Sequence, residues 1–318
     1  MMQRNVAPAE RWVGIKFPFP HKLRIGGGRE CKINAKQTAQ RKWRGSSSKK
    51  RAASAIICSI TTYSENVNNI RTHGEKSMEI KTDAIVLQTV DYKDNDKILT
   101  LFSPSLGKIT AGAKGVKKAT AKLAFAAQPF CFAEYVLAEK GGRYTLTSAY
   151  LHESFFALRT DLLRFYAACA AAEITRAILQ ENEEYEGLFI ALIECLKSLA
   201  LSFGDVAEAL ISFTLVALRE SGYPIDLTYL EENGGEMRER LWFDFADGRF
   251  TIFEDCIRGE RASVSTYHVL RQCAGLTYDG SATQGGKKRA LRLLKAYLAD
   301  KLETGFDNLG ELIRLYDE

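Results

Sequence analysis

Long apolar runs are what this chain most plainly lacks. No stretch of its 318 residues approaches the roughly 18 uncharged apolar residues of a membrane-spanning helix, so no such helix is expected. Cysteine is present without pattern. The seven thiols, at positions 31, 58, 131, 169, 195, 256 and 273, are odd in number and include no CxxC pair, which argues against a disulfide framework and favours buried free thiols in a reducing cytoplasm. Histidine is scarce, with four residues at 21, 73, 152 and 268. His152-Glu153 lacks the second His of a zinc-binding helix, and Cys256, His268 and Cys273 lack paired ligand spacing. No GxSxG, Walker or dinucleotide-binding pattern occurs, and the run Gly26-Gly27-Gly28 is not followed by Gly-Lys-Ser/Thr. With no constellation for catalysis, an enzyme is not expected.

Charge is plentiful but unevenly placed. The 44 Lys and Arg and 39 Asp and Glu sum to +5, yet residues 1–77 alone hold 16 basic and 4 acidic side chains, a net of +12, and the rest is net −7. Those first 77 residues carry Ser46-Ser47-Ser48 and the basic clusters Arg41-Lys42, Arg44 and Lys49-Lys50-Arg51 with almost no hydrophobic periodicity, and are expected to be mostly disordered. Three readings fit them. They are a solvated extension or upstream stretch before a working start at Met78, an Arg- and Ser-rich targeting presequence, or a basic arm that binds nucleic acid non-specifically.

Beyond Met78 the pattern changes. EIKTDAIVLQTV, KILTLFS, GKITAGAKG, PFCFAEYVLAEK and RYTLTSAYL are short runs rich in β-branched and aromatic residues, separated by turn-forming DYKDN, SPSLG and GG. Five strands with an Ala- and Lys-rich link, Val116 to Gln128, between the third and fourth outline an OB-fold barrel over residues 78–152. Lys97, Lys108, Lys114, Lys117, Lys118 and Lys122 could ring one rim of that barrel beside Tyr92, Phe102 and Phe125. Ammonium groups neutralise phosphates and ring faces stack on unpaired bases, so this composition fits single strands of nucleic acid. It equally fits a solubilising lysine loop with the aromatics in the core.

From residue 153 the period becomes 3.6. A long amphipathic helix is predicted from about Phe155, then helices over Tyr185 to Ser202 and Asp205 to Ser221, a hairpin turning at Asp247-Gly248, and helices over Ser263 to Cys273 and Lys287 to Lys301. The fold class is therefore α+β, an N-terminal five-stranded barrel followed by an α-helical domain (153–318) with a small irregular β-hairpin subdomain around 223–262. Residues 151–318 are net −10, a poor general surface for DNA, except where Lys287, Lys288, Arg289, Arg292 and Lys295 gather on one helix. That stretch is either a solvated face or a docking site for an acidic peptide or nucleic acid.

The stretch KTDAIVLQTVDYKDNDKILTLFSPSLGKITAGAKGVKK, then QPFCFAEYVL, the helix near Phe155 and FTLVALRESGYPIDL resemble the DNA repair protein RecO family from about Met78 to the C-terminus. The most specific pieces are Asp83-Ala84-Ile85-Val86-Leu87, Asp96-Lys97-Ile98, Gly107-Lys108-Ile109, Ala113-Lys114-Gly115 and Gln128-Pro129-Phe130. The resemblance implies a cytoplasmic, nucleoid-associated recombination mediator without enzymatic turnover. Such a protein binds single- and double-stranded DNA, anneals complementary strands and, with RecR, helps RecA displace single-strand DNA-binding protein. It also implies a pocket on the helical domain for the acidic tail of that protein, with Arg159, Arg164, Lys287, Lys288 and Arg292 as candidates. A pure protein-interaction barrel and an RNA-binding barrel are the competing readings.

One departure from the family concerns metal. Many members carry a four-cysteine zinc site soon after a Gly-Tyr-x-x-Asp-Leu segment. Here Gly222-Tyr223-Pro224-Ile225-Asp226-Leu227 is present, but Leu230 and Asn233 stand at the first two ligand positions, Gly234 follows, and Cys256 alone remains near the second pair. One thiolate cannot hold a tetrahedral Zn²⁺, so no structural zinc is expected, and apolar packing of Tyr229, Leu230, Trp242, Phe243 and Phe253 must hold the subdomain. Metal analysis of the purified protein checks this: stoichiometric zinc would overturn it.

Overall fold

A computed structural model of the protein describes residues 78–201, 204–232, 240–252, 258–277 and 282–317. The expectations for residues 1–77, and those for Asn233, Gly234, Phe253 and Cys256, lie outside them. The first five strands are β1 (Met78–Tyr92), β2 (Asp96–Ser103), β3 (Gly107–Ala113), β4 (Phe132–Lys140) and β5 (Arg143–Glu153). They form a closed barrel in the order β1-β2-β3-β5-β4, with β1 antiparallel to both β2 and β4 and β3 parallel to β5. This is the OB-fold expected from the strand pattern.

Alternation decides which residues fill the barrel. Leu99 and Leu101, then Ile109, Ala111 and Ala113, then Ala133, Tyr135 and Leu137 stand at period two and share one core. The Tyr135 hydroxyl, fully buried, donates to the Ala126 carbonyl at 2.9 Å and so ties the 3-10 turn Phe125–Ala127 to the barrel. Unbonded, that hydroxyl would cost about 1–3 kcal/mol. A bulge between Val86 and Gln88 lets the long β1 pair with both neighbours. The β4–β5 hairpin turns on Gly141 and Gly142, both at positive φ, as a two-residue turn of that hand requires.

The helical half holds α1 (Leu162–Ile178), α2 (Glu186–Ala200), α3 (Val206–Glu220), the short α4 (Tyr229–Glu232), α5 (Val264–Cys273), α6 (Gln284–Leu302) and α7 (Asp307–Leu315). The long helix predicted from Phe155 is a correction. Phe155 adopts left-handed φ +48, a 3-10 turn covers Phe156–Thr160, and α1 starts only after Asp161, whose carboxylate accepts from the Arg164 N–H. A residue that satisfies a free helical N–H is worth more as a cap than in a helix interior, and Asp161 resets the start. Asp205 and Ser263 cap α3 and α5 in the same way, and Gly222 at φ +85 follows the end of α3.

Strand β6 (Arg240–Asp244) pairs with β7 (Arg249–Thr251) across the expected turn, and with β8 (Gly259–Ser263), which the sequence pattern did not signal. Phe243 and Phe250 pack edge-on against Tyr297 and Tyr267 at 5.2 and 5.1 Å, all four fully buried. The Gly-Tyr-Pro-Ile-Asp-Leu segment is stapled beside them by polar contacts. Asp226 accepts from the Thr228 and Tyr229 N–H groups, while the Tyr267 hydroxyl and the buried Arg271 guanidinium both donate to the Leu227 carbonyl. Leu230 is buried here, as the expected apolar packing requires.

Barrel and helices meet through Phe102, which leaves the outer face of β2 to pack on Phe189 of α2 at 5.2 Å, and through Phe130 against Phe165 of α1 at 6.1 Å. Backbone bonds add to this: the Lys108 N–H donates to Gln180, the Asn182 N–H to Leu106 and the Tyr185 N–H to Pro104. The two halves are thus locked at the end of β2 and the start of β3.

Candidate nucleic-acid interface

The link after β3 brings lysines to one end of the barrel. Gly115 turns the chain at φ +68, and its N–H donates to the Asp96 carboxylate at 2.8 Å. The Lys117 N–H donates to the Asn95 carbonyl, and Val116 is buried in the barrel core. These three ties press the 114–118 segment against the β1–β2 turn. Lys97, on the core-facing side of β2 opposite Asp91 and Ala113, comes up beside it. Around this point lies an open groove of about 480 Å³ lined by Asp91, Lys97, Val116, Lys117, Lys118 and Gln128. Lys114 and Lys122 are exposed on the same link but do not line the groove.

Asp91 sits among these cations. The Lys117 ammonium donates to its Oδ2 at 2.9 Å, and the Lys97 ammonium stands 4.0 Å from its Oδ1. The hydrogen bond from Lys117 holds the Asp91 carboxyl below its ordinary range. Tyr92 and Phe125 are partly exposed near the same end, with the Lys93 ammonium 5.2 Å from the Tyr92 ring.

Two expectations for this rim are corrected. Phe102 is no stacking platform, because burial against α2 leaves it no exposed surface. Lys108 does not join the other lysines. It pairs in register with Phe102, five residues before Ala113 along β3 and so about 17 Å away at the rise of a strand, where its backbone meets Gln180. The remaining five, Lys97, Lys114, Lys117, Lys118 and Lys122, share one end of the barrel.

On the helical side the expected cations are scattered and engaged. Arg159 donates to the Pro129 carbonyl at 2.9 Å, and Arg164 to the Leu199 carbonyl at 2.6 Å, clasping α1 to the end of α2. Lys287 is buried between Asp205 and Glu208, 3.3 and 2.7 Å from their oxygens. Burial works against its charge, but the Glu208 and Asp205 carboxylates outweigh that and hold its pKa above the ordinary lysine value. Lys288 and Arg292 both pair with Asp317. Helical spacing alone therefore did not make a free basic face of Lys287 to Lys295, because side chains three and four apart found carboxylates from α3 and the chain end.

A feature the sequence pattern did not single out lies between α6 and α7. Arg292, Lys295, Ala296, Ala299, Gly310 and Ile313 line an open groove of about 390 Å³, largely apolar with two cations at its edge. Its signal was the apolar rhythm Leu309, Leu312, Ile313 of the unforeseen α7, whose Gly310 and Ile313 line the groove with Ala296 and Ala299 of α6. At Gly310 a Cβ would stand 2.6 Å from the Lys295 ammonium, the tip of a flexible side chain that can swing aside. Among the described residues, no group of three or more His, Cys, Asp and Glu is placed to hold a metal ion, and no helix is long and apolar enough to cross a membrane.

Two family models match the chain in sequence. Recombination protein O N terminal covers residues 78–155 and Recombination protein O C terminal covers residues 159–309. The protein called DNA repair protein RecO in Clostridium perfringens is 36% identical over 144 residues, 45% of this chain and 58% of that protein. Its namesake in Desulforamulus reducens is 34% identical over 196 residues, 60% of this chain and 75% of that protein. The Myxococcus xanthus namesake is 30% identical over 228 residues, 69% and 91%. The matches to the relatives in Clostridium perfringens and Clostridium novyi span only 58% and 57% of those proteins' lengths. With the two models spanning barrel and helices in chain order, the chain belongs to the DNA repair protein RecO family.

Proposed function

We propose that this protein acts in DNA repair and recombination as a non-enzymatic mediator, in the cytoplasm at the nucleoid. A DNA-binding barrel (78–152) and a partner-docking helical domain (153–318) divide the task. The supporting observation is the pinned 114–118 segment, which sets Lys97, Lys117 and Lys118 around one groove beside exposed Tyr92 and Phe125. A phosphate chain laid along that end exchanges its counterions for ammonium groups, and bases stack on the two rings. Two strands neutralised on one surface repel each other less, which favours annealing without covalent chemistry. Single- and double-stranded DNA are the ligands, and RecR is the partner with which RecA is helped onto strands covered by single-strand DNA-binding protein.

The expected result is that both the full chain and a chain beginning at Met78 bind single-stranded DNA, with affinity falling steeply as salt rises. Absence of binding by the shorter chain at low salt would favour the protein-interaction reading, to which the −10 of residues 151–318 lends some weight. Equal competition by RNA oligonucleotides would favour the RNA-binding one.

For the acidic, hydrophobic tail of single-strand DNA-binding protein, the α6–α7 groove fits better than Arg159, Arg164 and Lys287, which are engaged within the fold. It combines apolar lining with Lys295 at the edge and with Arg292, whose exposed pair with Asp317 is open to exchange for a tail carboxylate. Arg292→Glu together with Lys295→Glu should weaken binding of a tail peptide at least about tenfold, at roughly 1 kcal/mol per exposed charge lost or reversed. An unchanged titration would place the tail elsewhere.

A further inference from the structure

The DNA groove carries its own anion. Asp91 places one carboxylate between two ammonium groups, at 2.9 Å from Lys117 and 4.0 Å from Lys97, the separations at which a phosphate oxygen would meet them. It is not what holds the loop. The backbone ties of the 114–118 segment run to Asp96 and Asn95, and Val116 anchors it in the core. The Asp91 side chain is 65% exposed, open to displacement from the solvent side. Asp96, by contrast, spends its carboxylate on the Gly115 N–H.

We infer that Asp91 is an internal counter-ion that a DNA phosphate must displace, so that it sets how tightly the groove holds a strand. The inference rests on the reading of this groove as the DNA site. Of the charged groups lining the groove, Lys97, Lys117 and Lys118 are cationic and Asp91 alone is anionic, so a third of the positive charge is cancelled before DNA arrives. In the free protein the carboxylate keeps two long side chains together that would otherwise repel each other and spread. On binding, an ion pair is exchanged for an ion pair, and fewer salt ions are released than the lysine count implies. A grip weakened in this way suits a protein whose strands must slide and re-register to anneal.

The test measures single-stranded DNA binding by the full chain across a salt series. Asp91→Asn keeps the side chain's size and removes its charge. It should bind roughly five- to tenfold tighter at low salt, with log affinity falling more steeply in log salt by about 0.7, the increment for one more neutralised phosphate. Asp91→Glu should restore the weaker binding. Lys118→Glu, which leaves the Asp91 pairs in place, reports on the groove itself. If Lys118→Glu weakens binding while Asp91→Asn leaves affinity and slope unchanged, or weakens them with the thermal melt intact, the counter-ion role is wrong. If Lys118→Glu also changes nothing, it is the groove reading that has failed.

Discussion

Replacing Lys114, Lys117 and Lys118 together by Glu should abolish single-stranded DNA binding by residues 78–318. The three lie on one pinned segment with exposed side chains, and the change moves six units of charge within a few ångströms of the bound backbone. At even a modest fraction of 1 kcal/mol per unit in high dielectric, the loss is on the order of 10²-fold or more. With three fewer phosphates neutralised, the salt dependence should flatten by about 2 in slope. The fold should hardly notice, since Val116 and the Gly115–Asp96 bond are retained, and the melting temperature should stay within roughly 2 °C. Gel shift and thermal melting read both arms, and wild-type affinity in a folded triple variant would move the DNA site off this end of the barrel. In the full chain the same variant also measures the share of residues 1–77, whose +12 can bind phosphate independently.

Gly107→Ala should be the most damaging single methyl group in the barrel. Gly107 has φ +63, and a Cβ there would stand 2.4 Å from the Gln180 carbonyl oxygen and 2.7 Å from that of Glu183. Both obstacles are backbone, in the segment that β3 bridges at Glu181 and that receives the Lys108 N–H bond. Neither can swing aside as a side-chain tip would. Backbone strain and forced separation of barrel from helices together should cost about 3 kcal/mol or more, a fall in melting temperature of roughly 6–12 °C. Gly141→Ala supplies the contrast. Its φ of +58 carries similar strain, but nothing lies within 4 Å of the added carbon, so only about 1 kcal/mol is expected. Equal losses for the two variants would show that φ alone, not the junction, makes Gly107 necessary.

The residues that could be read in advance were those whose neighbours in space are also neighbours in sequence. Asp205 and Ser263 cap their helices through bonds that reach no further than the first turn, and Gly141-Gly142 closes a hairpin locally, so each was visible in the string. Asp161 obeys the same rule, but the apolar rhythm around Phe155 and Leu158 masked it and suggested one helix where the chain makes a 3-10 turn and a cap. The apolar spacing of Phe306, Leu309, Leu312 and Ile313 marks α7 just as openly, whereas β8, Gly-Glu-Arg-Ala-Ser, carries no strand pattern at all. It exists because β6 offers it an edge.

Sequence alone determined the closed barrel, the helical half and the presence of a lysine-rich link, because alternation of period two, a period near 3.6 and turn chemistry act over a few residues. It could not say which charges remain available. That depended on partners brought from far along the chain: Asp91 to Lys117, Asp205 and Glu208 to Lys287, Asp317 to Lys288 and Arg292, and Phe189 to Phe102. A cation reads the same in the string whether it faces solvent or a carboxylate 25 or 80 positions away. Only the tertiary fold, by choosing those neighbours, separated the five lysines gathered at one end of the barrel from Lys108 at the junction and from the basic residues engaged within the helices.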